Sequence, residues 1–211
     1  MGEILDYPRD NLRRSLFVQE STKHQAKLEI RTFQWLVNRM TQEGELILDP
    51  MSGIGTVHMA ATMGRATVAI EISPEFAEIQ HLNITKLDSV LGLSAPTTVL
   101  EGDCRRFLPL DRDMLGFGDT RCSIIFSPPY GDLWKKTSNE QSTFMQEKHI
   151  NIGYDLQIAN IGNLTIWPQY LEAMKEVYIL CNRSLMLGEQ MCIVTKDYVK
   201  AGKRVYVTKD N

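Results

Sequence analysis

The chain has 211 residues, of which 43% are hydrophobic and 23% charged, with a formal net charge of −3. This suits one globular domain with a full hydrophobic core. The acidic balance counts against a large basic surface that grips nucleic acid non-specifically, though a local basic cleft is compatible with it.

Runs of 18 or more apolar residues are missing, so no membrane span is expected. The opening Met1 to Asp6 carries neither a secretory signal nor the hydroxyl residue of an N-myristoylation site. The cysteines, Cys104, Cys122, Cys181 and Cys192, form no Cys-x-x-Cys pair and sit in or beside apolar runs. They read as buried free thiols in a reducing compartment, so a cytoplasmic location is expected. His24, His58, His81 and His149 show no metal-ligand spacing, and no metal site is expected.

Residues 1–22 are polar and mixed, an arm or peripheral helix. Over residues 24–40, Ala26, Ile30, Phe33, Trp35, Leu36 and Val37 recur near helical spacing and predict an amphipathic helix. Leu46–Leu48 reads as a buried strand entering a loop at Asp49-Pro50. Thr56–Met63 reads as a helix with Val57, Ala60 and Ala61 on its buried face and Gly64 as its stop. Ala66–Ile70 is a second strand. Ser73-Pro74 starts the next helix, whose predicted buried side is Phe76, Ile79, Leu82, Leu87 and Val90.

Thr97–Leu100 and Cys122–Phe126 read as the third and fourth strands. Residues 131–165 form a long polar insertion, too long for an ordinary connection and so a candidate lid or recognition segment. A helix over 168–186, a strand over Gln190–Thr195 and a sixth strand over Arg204–Thr208 complete the pattern. The alternation predicts a mainly parallel sheet with helices on both faces, in which ligands bind at the carboxyl ends of the strands.

The informative motifs fall at those ends. Asp49-Pro50-Met51-Ser52-Gly53-Ile54-Gly55-Thr56 joins the first strand to its helix. Gly53 and Gly55 allow a sharp turn close to a ligand, and the helix start at Thr56 offers N–H groups to an anion. Asp49 suits an ammonium group. His58 stands where a dinucleotide fingerprint has its third glycine, which disfavours a nicotinamide enzyme. Glu71, followed by Ile72, ends the second strand and suits ribose hydroxyls. Asp103, followed by Cys104, lies just past the third strand and suits an adenine amino group. Together these fit a nucleoside bearing an amino acid, as in S-adenosylmethionine.

The fourth strand runs into Ser127-Pro128-Pro129-Tyr130. An exocyclic amine conjugated with its ring is a poor nucleophile. Two acceptors, the Ser127 side chain and the Pro128 carbonyl, would bind its hydrogens and expose its lone pair. The two prolines fix the carbonyl direction in advance, and Tyr130 offers a stacking face.

This pair of motifs resembles the amino-methyltransferase group of DNA methyltransferases, which modify cytosine N4 or adenine N6. Lys23-His24-Gln25-Ala26-Lys27 resembles the group's segment flanking the cofactor site, with Gln25 in place of a proline. The order of flanking segment, loop and tetrapeptide is not the commonest one for enzymes with Ser-Pro-Pro-Tyr. The resemblance implies a Rossmann-like methyltransferase domain over residues 1–211, S-adenosylmethionine as cofactor, DNA rather than RNA as partner, and a place in restriction-modification. Serine in the first position implies cytosine N4 before adenine N6. The chain ends about where such a sheet adds a helix and a strand hairpin, so a truncated or minimal form is an expectation.

Three other readings stand beside it: an RNA guanine-N2 enzyme, a protein glutamine methyltransferase, and a non-catalytic cofactor-binding subunit. Cytosine-C5 chemistry is set aside because it needs a thiolate at this strand end, whereas Cys122 lies at the strand's start. Oligomeric state is left open.

Overall fold

The computed structural model describes residues 12–24, 27–129, 159–164 and 166–195, and the strands at 198–200 and 203–205. Tyr130, most of the 131–165 insertion, residues 1–11 of the arm and residues 206–208 of the sixth strand lie outside the described residues.

Five strands form one parallel sheet: β1 (Leu46–Asp49), β2 (Ala66–Glu71), β3 (Thr97–Glu101), β4 (Cys122–Phe126) and β5 (Gln190–Ile193), in the order β3-β2-β1-β4-β5. This is a Rossmann-like α/β arrangement. The order reverses between β1 and β4, which are neighbours in the sheet, and ligands bind at that switch point in open α/β sheets. The loops after β1 and β4 are therefore brought side by side.

The strands read as continuous apolar runs because both faces are covered. Leu46, Leu48, Val68, Ile70, Ile124 and Phe126 point to one face, where they meet α4 (Trp167–Ser184) through Tyr170, Met174, Val177 and Cys181. Ile47, Ala69 and Ile125 point to the other, where they meet α2 (Ile30–Met40), the 3₁₀ helix Thr56–Met63 and α3 (Pro74–Leu91). The alternation of side chains along each strand divides one chain between two cores.

Several expectations are corrected. The first long helix begins at Ile30, not at 24, because Glu29 caps it by accepting from the Thr32 N–H at 2.6 Å. The arm carries a short helix, α1 (Leu12–Leu16), and a 3₁₀ turn over Gln19–Lys23. Thr56–Met63 is 3₁₀ rather than α-helical, and Thr56 to Ala61 are all buried rather than one face of them. On α3, Leu82 and Val90 are exposed, whereas Gln80 and Asn83 are fully buried. Lys203–Val205 pairs antiparallel with Tyr198–Lys200 as a separate hairpin, rather than as a sixth strand of the main sheet.

At the amino ends of β4 and β5 the sheet is held by a buried ion pair. Arg112 and Glu189 side chains are 5% and 3% exposed, with Nη2 to Oε2 at 2.5 Å and Nη1 to Oε1 at 2.8 Å. Glu189 also accepts from the N–H groups of Cys122 and Met186, and Arg112 also donates to the carbonyls of Ser184 and Thr120. Each ion is thus hydrogen-bonded beyond its partner, the condition under which a buried pair is tolerated.

Candidate functional site

At the opposite, carboxyl edge lies a cleft of about 970 Å³, counting its open mouth. It is lined by Asp49 at the end of β1, Pro50, Ser52 and Gly53 of the loop after it, Thr56 at the start of the 3₁₀ helix, Glu71 and Ile72 at the end of β2, Asp103 and Cys104 just past β3, and Ser127, Pro128 and Pro129 just past β4. The structure thus brings together the sequence-derived candidates except Gly55, which sits behind the wall, and Tyr130, which lies outside the described residues.

Asp49 is 9% exposed and forms no ion pair among the described residues; its Oδ1 accepts from the Met51 N–H at 3.0 Å. Burial raises its carboxyl to about 7, against a smaller lowering by that hydrogen bond. A buried carboxylate with no counter-ion is poised to accept a cationic group. Glu71 is 7% exposed and bridges backbone: Oε2 accepts from the Gly53 N–H at 2.7 Å and Oε1 from the Ser73 N–H at 2.9 Å. It ties the glycine loop to the start of α3, an additional role to the one read from sequence.

The loop's carbonyls are held from behind by α3. Gln80 donates through Nε2 to the Gly53 carbonyl at 2.7 Å and to Ser52 Oγ at 2.8 Å, and Asn83 donates to the Ile54 carbonyl at 2.8 Å. Because the Gln80 amide nitrogen faces acceptors, its oxygen faces His58 Nε2 at 2.9 Å, so that ring nitrogen carries the proton. His58 Nδ1 then accepts from the Thr67 hydroxyl at 3.0 Å. Burial lowers the His58 pKa to about 4, opposed by its bond to Gln80, so the ring is neutral at pH 7. Gly55 has φ +78°, and a Cβ there would lie 2.6 Å from His58 Cδ2. The histidine in place of the fingerprint's third glycine anchors the loop from within.

Asp103 accepts three N–H groups from one residue: the Arg105 main chain at 3.0 Å, Nε shared between both oxygens, and Nη2 at 2.6 Å. Burial works to raise its pKa, but the bonds and charge of Arg105 outweigh it and hold the carboxyl below its usual range. Each Asp103 oxygen thus meets two of these contacts, so a ligand amine would share the carboxylate with the bifurcated Nε–H. Burial pushes the Cys104 thiol up to about 12, and the Cys122 thiol likewise, so neither is a thiolate at neutral pH.

Ser127 leaves β4 beside the end of β5, and its hydroxyl donates to the Val194 carbonyl at 3.0 Å. With its hydrogen directed there, Oγ can act towards an N–H only as an acceptor. The Pro129 carbonyl is held by the Tyr170 hydroxyl of α4 at 2.5 Å. Tyr170 was legible only as a periodic apolar position, and its anchoring of the proline turn is a finding of the structure. His24, Lys27 and Phe76 also line the cleft, with His24 edge-on to Phe76 at 4.8 Å. The segment from Lys23 to Lys27 is the sequence signal for the first two, whereas the helical periodicity places Phe76 in the core.

Among solved structures, the chain is similar to TrmN from Thermus thermophilus, with 18% identity over 83% of this chain and 46% of that one and a TM-score of 0.41. It is also similar to a provisionally assigned methyltransferase from Porphyromonas gingivalis W83, with 22% identity over 54% and 26% of the two chains and a TM-score of 0.41. A provisionally assigned methyltransferase from Streptococcus mutans, in complex with SAH, shows 11% identity over 74% and 84%, with a TM-score of 0.36. The chain therefore spans less than half the length of the first two. No curated protein matches it in sequence. Residues 4–81 match the family model described as DNA methylase, so the resemblance to the amino-methyltransferase group is upheld over the flanking segment, the glycine loop and β2.

Proposed function

We propose that the chain transfers a methyl group from S-adenosylmethionine to the exocyclic amino nitrogen of a DNA base, with cytosine N4 ahead of adenine N6. The observation that carries this reading is the polarity of Ser127. Its hydroxyl is spent on Val194, so it faces the cleft as an acceptor, one strand away from the buried Asp49. The DNA methylase match over 4–81 supports DNA as substrate, and serine at the head of the tetrapeptide supports cytosine.

The donor set fits the cofactor. Asp49 would take the ammonium, Glu71 the ribose hydroxyls and Asp103 the adenine amine, with the Gly53 turn as the cradle. When bound, the cofactor supplies a sulfonium-activated methyl group. Ser127 Oγ and the Pro128 carbonyl hold the amine's two hydrogens to one side, which localises the nitrogen lone pair. Pro128, Pro129 and the Tyr170 hydroxyl hold that carbonyl's backbone rigid before substrate arrives, so no reorganisation is needed at the moment of reaction. Tyr130 follows directly and would stack on the flipped base.

The test is transfer of labelled methyl from the cofactor to DNA, tRNA and protein in separate reactions, followed by digestion to identify the product. Label in N4-methylcytosine is the expected outcome. N6-methyladenine would overturn the base preference alone; label confined to RNA or glutamine would overturn the substrate.

A further inference from the structure

We infer that Asn160 is a cofactor-binding residue that donates a hydrogen bond from Nδ2 to a ring nitrogen of the adenine. This rests on reading the cleft as the S-adenosylmethionine site.

Asn160 is 7% exposed and lines the cleft. Its Oδ1 accepts from the Gly162 N–H at 2.9 Å, which fixes which end of the carboxamide is oxygen, and its main-chain carbonyl accepts from the Asn163 N–H at 2.9 Å. The Nδ2 hydrogens have no partner among the described residues. With its oxygen engaged by Gly162 and the rest of the residue nearly buried in the cleft wall, the amide has its donor to offer to whatever fills the cleft.

The neighbourhood selects the adenine. The Arg105 guanidinium that grips Asp103 also donates to the Ala159 carbonyl at 3.3 Å, which draws residues 159–160 to the Asp103 end of the cleft. Asp103 brings a carboxylate acceptor for an amine hydrogen, shared with the bifurcated Arg105 Nε–H, and Asn160 brings a donor. Adenine presents the complement, an amine flanked by ring nitrogens that accept. The turn over Ile161–Asn163 needs only the Asn160 oxygen; aspartate would cap it equally well. What the amide adds is the donor.

The test is calorimetric binding of SAH and of 5′-methylthioadenosine, which share the nucleoside, to wild type, Asn160→Asp and Asn160→Ser. Both variants keep an oxygen to cap Gly162, and both lose the carboxamide donor. Each is expected to bind the two ligands about tenfold more weakly, by the same factor, with the unfolding midpoint of the unliganded chain unchanged. Affinities within about twofold of wild type, or a loss for SAH alone, would overturn the assignment. Wild type that binds neither ligand would overturn the reading of the cleft itself, and this inference with it.

Discussion

The two ends of the same sheet treat buried charge in opposite ways. At the amino edge, Glu189 is paired with Arg112 and accepts two further backbone N–H groups; the pairing with Arg112 holds its pKa below the usual range, although burial alone would raise it. At the carboxyl edge, Asp49 is also buried, has no counter-ion among the described residues, and rises to about 7. A carboxylate completed from within holds strands together; one left incomplete has its free energy to gain from a ligand. The difference separates the scaffold edge from the proposed binding edge without reference to any relative.

The division is most exposed to failure at Glu189. Glu189→Ala leaves Arg112 buried and uncompensated and should cost about 3–5 kcal/mol of stability, read from denaturant midpoints. SAH affinity per folded molecule should be unchanged; a parallel loss of affinity would break the division. Replacing both partners by apolar residues of similar volume should restore most of the stability.

Ser127→Ala belongs to the other edge. It should lower kcat by roughly 10²–10³-fold, as loss of one preorganised polar group does, with little change in cofactor affinity. A shift confined to SAH binding would place Ser127 in the wrong role.

Gly55→Ala tests the wall between the two. The added Cβ would meet His58 and Gln80 at a backbone conformation with φ +78°. The strain should cost about 1–3 kcal/mol and weaken SAH binding with it.

The smallest effect is on pH. The Asp49 pKa is raised in the folded chain, so its contribution to stability is fully present below about 3.8 and is lost as pH rises to about 7. Binding of an ammonium group needs the ionised form, so SAH affinity should rise with pH up to about 7 and then level off. Asp49→Asn should flatten both profiles and weaken SAH binding about tenfold. A slope that survives in Asp49→Asn would assign the titration to another group.

What the sequence revealed follows the same division. The strand ends are legible because buried parallel strands are apolar runs that stop at a carboxylate, as at Asp49 and Glu71, or at a hydroxyl and a proline, as at Ser127-Pro128. The support behind the site is not. Gln80 and Asn83 lie on the buried side of α3 because the loop at 53–54 turns its carbonyls inward and needs donors, a demand that apolar periodicity cannot register. Leu82 and Val90 satisfied the periodicity and are exposed. Residues 27–29 lie outside the helix, with Glu29 extended, because the Glu29 side chain, not the apolar spacing, sets the start of α2. Asn160, near the end of the insertion, and Tyr170, just after it, reach the site through tertiary contacts that no local pattern encodes.

The most direct measurement is the position of SAH in a crystal of the complex. The account predicts its ammonium on Asp49, its ribose on Glu71 and its adenine between Asp103 and Asn160, with the sulfur toward Ser127. SAH bound elsewhere, or with its sulfur turned away from residues 127–129, would contradict it.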